Sequence, residues 1–457
     1  MSKLWFWAAF GAAVGIVAIN PAFSQTPEPT SSLDQRVDQK SQTEIIQEAD
    51  DVFKEVSHLR GLPIKNSVKK EFKDRVFFRD YYLKLLNEQY PPKKKTGWEK
   101  AFQKFGFLPE GADLIKTYLD SFLKVVQGLY DPQAKTLYIA DWISPGNQES
   151  TMAHELTHAL QDQYFDLAAY LKKTNESTLD EQFARDSVIE GEAVAVALNY
   201  SLEDRQLDFT SLTNIADWVR LSNLMEESGQ KAFGKKMVLH DVVDFPYVYG
   251  ASFLQKFVKA YGWRGMSYLY KHPPSSTRQI MHPEAFFPKK NNPVQVKIED
   301  LSAGSGAAPL AGYRKVWEST MGEYGLFLLL RQYLPEDEAR RSVLGWRGDQ
   351  VQVYEGDGAS SLILVGYALF SGEETADDFF RSYRSLLNNK YQADIFRRAD
   401  ETIHWVSLVH GDEEVYVERF GRRVVFIEGT NSNQTAKVRG ALWNFVPVKS
   451  RESKPAN

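Results

Sequence analysis

Residues 150–166 read STMAHELTHALQDQYFD. Two histidines, His154 and His158, stand four apart with Glu155 between them, in a run whose apolar residues Met152, Leu156, Ala159 and Leu160 recur at helical spacing. On a helix, positions i and i+4 lie one above the other, so both imidazoles project from one face, close enough to share an ion. Glu155 is rotated by about 100° from His154, which lets its carboxylate reach a water on that ion without occupying a ligand position. The plain alternative is a core helix that happens to carry two satisfied imidazoles. A motif this short does not choose between them, and the acids downstream carry the decision.

A catalytic zinc needs three protein ligands and a fourth position for water. The stretch ARDSVIEGEAVAVALNY (184–200) places Glu190 and Glu192 in an otherwise apolar, alanine-rich helix expected from Leu179 to about Leu202. A carboxylate buried there without a partner is costly. A cation is the natural partner for Glu190, and an arginine such as Arg185 is the alternative. Gly191 would let this helix approach the HELTH helix closely. Asp162, four residues past His158, is placed to accept an imidazole N–H, or else to remain a solvated helix acid.

HELTH followed by a helix bearing IEGEA resembles the gluzincin superfamily of zinc metallopeptidases. The phrase HELTHALQDQYFDL, with GLYDP before it and PPSSTRQIMHP after it, also resembles a poorly characterised group of bacterial secreted proteins with this metal motif. These signatures span residues 125–290. The resemblance implies Zn²⁺ held by His154, His158 and Glu190, with Glu155 as general base and Glu192 as an outer or substrate-facing acid. It also implies an electrophilic helper, a tyrosine three residues before a glycine, which maps onto Tyr247 ahead of Gly250 in FPYVYGASFL. A phenol can donate to negative charge that develops only in the transition state; Tyr249 is the neighbouring choice, and an aromatic packing corner the plain one. His282, in STRQIMHPEAF, maps onto a downstream histidine of thermolysin-like enzymes, or is a turn residue before proline. His240, His272, His404 and His410 lack ligand-like spacing. The chain departs from the family pattern in three places. The interval from His158 to Glu190 is long, implying an inserted loop around KKTNEST (172–178). Val194 stands where thermolysin-like enzymes carry an acid. No GxMEN-like segment precedes the motif, so exopeptidase activity is not supported.

The remaining sequence sets the frame. A chain of 457 residues with 43% apolar and 25% charged residues is long enough for more than one globular domain, and a formal charge of −5 leaves no broad basic surface, which excludes a nucleic-acid partner. Residues 1–24 show one cation (Lys3), an apolar run from Leu4 to Ile19 and a small-residue site ending Ala22-Phe23-Ser24, the pattern of a secretory signal peptide cleaved after Ser24; an uncleaved anchor is the alternative. The absence of cysteine excludes disulfides and thiol-linked lipid. The best later apolar run, Leu326 to Leu330, is interrupted by Arg331 and is too short to span a bilayer. The mature protein is expected to be secreted or periplasmic, with no stable membrane span.

The expected fold class is α+β: a mostly helical zincin-like catalytic domain with a β-hairpin or small sheet before the active-site helix, followed by a smaller α+β domain. Residues 25–44 read as a flexible leader, 45–300 as the gluzincin-like domain, 301–312 (LSAGSGAAPLAG) as a linker, 313–449 as the C-terminal domain and 450–457 as a tail. Helical patterns fill the region before residue 91, where Pro91-Pro92 and Lys93 to Lys95 form a turn. VVQGLYDPQAKTLYIADW (125–142) reads as a hairpin around Asp131-Pro132, with LYIAD (137–141) as an edge strand able to pair with an extended substrate, by analogy to the fold. Ser144 to Asn147 would cap the motif helix. Beyond the linker come a helix at Met321–Leu334, strands at Gln350–Tyr354 and Ser361–Leu369, a helix at Ala376–Leu387 and the meander HWVSLVHG, EVYVERFG, RVVFIEG. GWRGDQVQVYEGD (345–357) suits a hairpin or a recognition loop. The function expected is a secreted zinc-dependent peptidase acting on a peptide or protein. The rivals are a non-catalytic envelope binding or scaffold protein with a structural or vestigial metal site, and a zinc hydrolase of non-peptide amides.

Overall fold

The computed structural model describes residues 42–123, 126–142, 148–175, 177–224, 237–288, 290–303, 308–357, 362–391, 397–401, 405–410 and 413–444. In chain order the elements of the N-terminal half are α1 (Gln42–Arg60), β1 (Lys69–Lys73), α2 (Arg75–Gln89), α3 (Pro92–Phe105), α4 (Leu114–Phe122), β2 (Gly128–Asp131), β3 (Thr136–Ala140), α5 (Gln148–Phe165), α6 (Leu167–Asn175), α7 (Leu179–Leu202), α8 (Ile215–Leu224) and α9 (Met237–Tyr261). Then follow α10 (Met266–Lys271), α11 (Thr277–Met281), β4 (Arg314–Ser319), α12 (Gly322–Arg331), α13 (Glu336–Val343), β5 (Trp346–Glu355), β6 (Leu362–Phe370), α14 (Glu373–Lys390), β7 (Arg397–Glu401), β8 (Trp405–His410), β9 (Glu413–Phe420), β10 (Arg423–Thr430) and α15 (Ser432–Trp443). The architecture is mixed α+β, a mostly helical part followed by a β-rich C-terminal part. Among the described residues no helix is long and apolar enough to cross a membrane. The signal segment and most of the leader lie outside the described residues, as does the cap expected at 144–147.

The chain forms two compact units and enters each of them more than once. The first holds the residues up to Gln89, Ile115–Glu176 and Arg185–Pro273; the second holds Tyr90–Leu114, Ser177–Ala184 and Pro274–Asn457. The small-residue stretch 301–312, expected as the interior boundary, therefore lies inside the second unit. Its described residues, 301–303 and 308–312, are turns and irregular backbone, which composition alone does not distinguish from a break in packing.

In the first unit, α1 buries Ile45, Ala49, Val52, Phe53 and Val56 at three- and four-residue spacing. The hairpin β2–β3 turns at Asp131, whose Oδ1 accepts from the amides of Gln133 (2.7 Å) and Ala134 (3.0 Å). The strand order is β1-β3-β2. β3 is thus the central strand and not the expected edge: β1 pairs with it in parallel from Lys69↔Thr136 to Lys73↔Ala140. KKEFK has no apolar alternation, so nothing in its composition announces a strand. Among the described residues β1 and β2 are the two outer strands. α5 follows β3 in the chain, buried on every face from Thr151 to Asp162. The loop expected around residues 172–178 is largely helix, since α6 runs to Asn175. α7 and α9 cross at Gly191 and Gly250, where a Cβ on Gly191 would stand 2.5 Å from the Gly250 carbonyl carbon. The small residue at 191 therefore admits α9, not the HELTH helix.

In the second unit, Pro91 precedes α3 and Pro92 opens it, with Lys93 to Lys95 in the first turn instead of a loop. Proline fits there because the first helical N–H has no partner to lose. Seven strands form one antiparallel sheet ordered β4-β5-β6-β10-β9-β8-β7. The period of two along β10 sorts its faces. Val425 and Ile427 join Tyr354, Ile363, Val365, Val438 and Leu442 in one core beside α15, while Phe426 packs on Tyr383 of α14 with ring centroids 4.5 Å apart. The 345–357 stretch is neither a hairpin nor a recognition loop: most of it is β5, paired with β4 and β6.

Candidate metal centre

α5 and α7 bring His154, His158 and Glu190 together inside the first unit, all buried. His154 Nε2 and His158 Nε2 are 3.2 Å apart, and Glu190 Oε2 is 3.3 Å from the first and 3.5 Å from the second. Two metal–ligand bonds of about 2.05 Å at the tetrahedral angle put their ligand atoms about 3.3 Å apart. The three atoms therefore form a triangle with the edges of one face of a tetrahedral zinc site, and the donor set of two imidazoles and a carboxylate suits that ion. Through the side chains alone, a cation already belongs here. Burial would raise Glu190, but His158 and His154 hold it down to about 2; burial would lower His158, but Glu190 lifts it to about 9. Burial keeps His154 below its ordinary value.

Glu155 projects to the side of this triangle. Its Oε2 accepts from the backbone N–H of Tyr130 on β2 at 2.8 Å, and burial pushes its carboxyl up to about 7 against the pull of His158 and of that N–H. Glu155 also lines a small cleft with Gln127, Gly128, Leu137, Ile139, Thr151 and Met152. Gly128 keeps it open, since its missing Cβ would sit 3.6 Å from Glu155 Cγ and 3.4 Å from Thr151 Cγ2.

Tyr247 on α9 reaches the same place. Its ring stacks on His154 with centroids 5.9 Å apart and 21° between planes, and its buried hydroxyl lies beside Glu190 without a well-formed hydrogen bond. The Gly191–Gly250 crossing is what lets α9 come this near α7. Tyr249, the alternative, stacks on Phe245 instead. Asp162, expected to receive an imidazole N–H, accepts from Tyr130 Oη (2.8 Å) and Lys135 Nζ (2.5 Å). Gln161 takes that place, with Oε1 2.9 Å from His158 Nδ1. Glu192 faces Gln161 (3.1 Å), Tyr270 Oη (2.6 Å) and Arg60, which makes it an outer acid and not a substrate-facing one.

His282 belongs to the second unit, where its Nε2 is 2.6 Å from Glu323 Oε1; Arg278 Nη1 is 2.6 Å from the other oxygen of the same carboxylate. The His282 ring is hydrogen-bonded to that carboxylate, and the metal-binding group found among the described residues does not include it. His272 is exposed beside Tyr268. The side chains of His240 and His410, and all of His404, lie outside the described residues. Besides Gln161, two residues near the centre escaped the sequence reading. Asp186, one turn before Glu190 on α7, is buried with both carboxylate oxygens unpartnered, and burial, then Glu190, push its pKa well up. Tyr82 on α2 is a buried phenol without a hydrogen-bond partner whose ionisation is opposed by burial and then by Glu155. An acid in an alanine-rich helix was a usable signal for Asp186; a tyrosine among aromatics was none for Tyr82.

Residues 117–215 match the family model for the IrrE N-terminal-like domain, peptidase M78. This is a zincin-like metallopeptidase family, and the matched span contains β2, β3, α5 and the body of α7 with all three candidate ligands. The matched span therefore carries a His-His-Glu group able to hold a divalent metal. Residues 311–439 match a domain of unknown function, DUF8575, spanning β4 to the middle of α15. No curated protein and no solved structure matches the chain.

Proposed function

We propose that the chain is a secreted zinc-dependent peptidase of gluzincin type that hydrolyses peptide bonds in a peptide or protein substrate. The observation that carries this reading is the triangle of His154 Nε2, His158 Nε2 and Glu190 Oε2 with edges of 3.2, 3.3 and 3.5 Å. Zinc at this position supplies a Lewis acid for the scissile carbonyl and lowers the pKa of a bound water. Glu155, with its carboxyl near 7, is poised to accept a proton at neutral pH and to pass it to the leaving amine. The Tyr247 hydroxyl is a donor for negative charge on the carbonyl oxygen. An extended substrate would pair along β2, the outer strand beside α5, and not along β3. Secretion rests on the signal pattern of residues 1–24, and N-terminal sequencing of the exported protein should begin at Gln25.

The test is metal analysis of the purified protein followed by a chelator-sensitive assay on a mixed peptide library. Glu155→Gln should keep zinc and lose turnover; retained turnover removes Glu155 as the base. Glu190→Ala should lose the metal; full occupancy in that variant rejects the third ligand. The burial of all three ligands (2%, 6% and 1% exposed) also fits a non-catalytic protein in which the ion fastens two helices. An uncut library with zinc bound would favour that reading, or a hydrolase of non-peptide amides.

A further inference from the structure

Behind His158 runs a buried chain of polar groups whose hydrogen bonds permit one direction. Gln161 Nε2 is 3.0 Å from Ile189 O and 3.1 Å from Glu192 Oε2. A backbone carbonyl only accepts, and so does a carboxylate, so both amide hydrogens of Gln161 are committed to these two oxygens. Its Oε1, 2.9 Å from His158 Nδ1, is then an acceptor, and the proton between them sits on the imidazole. The opposite amide orientation would set an oxygen against two oxygens. A histidine that donates from Nδ1 offers the lone pair of Nε2, the atom that faces His154 and Glu190.

The acceptor that orients Gln161 is itself held. Glu192 is fully buried, receives the Tyr270 hydroxyl at 2.6 Å and is paired through its other oxygen with Arg60 Nε. Arg60, the last residue of α1, is 3% exposed, and its guanidinium lies 4.8 Å over the Trp263 ring. A buried carboxylate without that cation would be strongly disfavoured. Three helices thus contribute one group each: Arg60 from α1, Gln161 from α5 and Glu192 from α7.

We propose that Arg60, Glu192 and Gln161 form a positioning relay that fixes His158 as its Nδ1–H tautomer and thereby sets the affinity of the metal centre. The proposal rests on the metal-binding part of the functional reading and is independent of peptidase turnover. A carboxylate in direct contact with a liganding imidazole raises the ligand's basicity. Here an uncharged amide touches the ring, and the acid stands one hydrogen bond further out, neutralised by an arginine. The relay orients His158 without adding negative charge beside Glu190 and Glu155.

The experiment measures zinc affinity by competition with a chromophoric chelator in the full chain, for the wild type, Gln161→Met and Glu192→Gln. Outer partners of a liganding histidine are worth roughly 10- to 100-fold in affinity. Gln161→Met, which keeps the volume and removes the acceptor, should weaken zinc by that factor while the melting of the metal-free protein stays within a few degrees. Glu192→Gln, which keeps the shape and removes the charge, should give a smaller loss in the same direction. ¹⁵N NMR of the zinc-loaded wild type should show His158 protonated at Nδ1 and bound through Nε2. Unchanged zinc affinity in Gln161→Met, or the opposite tautomer at His158, overturns the relay. A wild type that takes up no zinc overturns the metal reading itself, so the two failures are told apart.

Discussion

Burial raises the pKa of Glu155, and that sets a sign for the stability of the metal-free protein. Its carboxyl is raised from 4.5 to about 7 in the folded chain, first by loss of water and only then modified by its neighbours. Below pH 4.5 both folded and unfolded forms are protonated and nothing is lost. Between 4.5 and 7 the unfolded chain ionises while the folded one does not, so stability falls with rising pH and the loss is complete above 7. The shift corresponds to about 3 kcal/mol. Glu155→Gln should therefore raise the melting temperature of the metal-free protein at pH 8 and leave it unchanged at pH 4, read by circular dichroism; a pH-independent difference contradicts the burial argument. At this scale His154, Glu155 and His158 were legible because helical spacing alone puts them on adjoining faces. Gln161 was not. Asp162 drew attention by its charge, whereas an amide reveals its role only when both of its hydrogens have been traced to acceptors.

Periodicity made α5, α7 and the β2–β3 hairpin readable as elements, because each carries its own pattern of apolar residues. Pairing between distant segments leaves no such mark, and so the strand that covers the far side of β3 went unseen. The same holds for the contact between α7 and α9. Gly191 could be read as a site of close approach, but its partner, Gly250, lies 59 positions away in the sequence and is apparent only in space. Gly250→Ala would place a Cβ 2.5 Å from Ser187 O and 3.2 Å from Gly191 Cα. Backbone cannot give way as a flexible side chain does, so the variant should lose about 1–3 kcal/mol of stability. It should also move Tyr247 off His154. Thermal melting reads the first effect and quenching of zinc-dependent turnover the second; a variant as stable as the wild type would show that the two helices have slack.

The molecule as a whole is not divided where its composition changes. Segment 90–114 lies far ahead of the C-terminal sheet in sequence, yet α3 packs there: Trp98 lies edge-on to Trp317 of β4 at 5.5 Å, and Lys390 Nζ bonds the Lys104 carbonyl at 2.6 Å. Asp180, from the short 177–184 piece, accepts the Thr277 amide at 2.7 Å. A fragment cut at the apparent linker, residues 313–449, would lack all three. It should be markedly less stable than the same fragment joined to residues 90–114, as judged by urea unfolding; equal midpoints would mean that α3 adds nothing to the sheet. A linker-like run of Gly and Ala is visible in one dimension, and the return of an early helix to a late sheet is not.

One consequence follows from α5 having no face open to water around its two histidines. Backbone amides in such a helix exchange with deuterium only when the surrounding unit opens as a whole, and an ion held from that helix should share the same clock. Its departure would then be timed by the opening of the protein and would not quicken as more chelator is added.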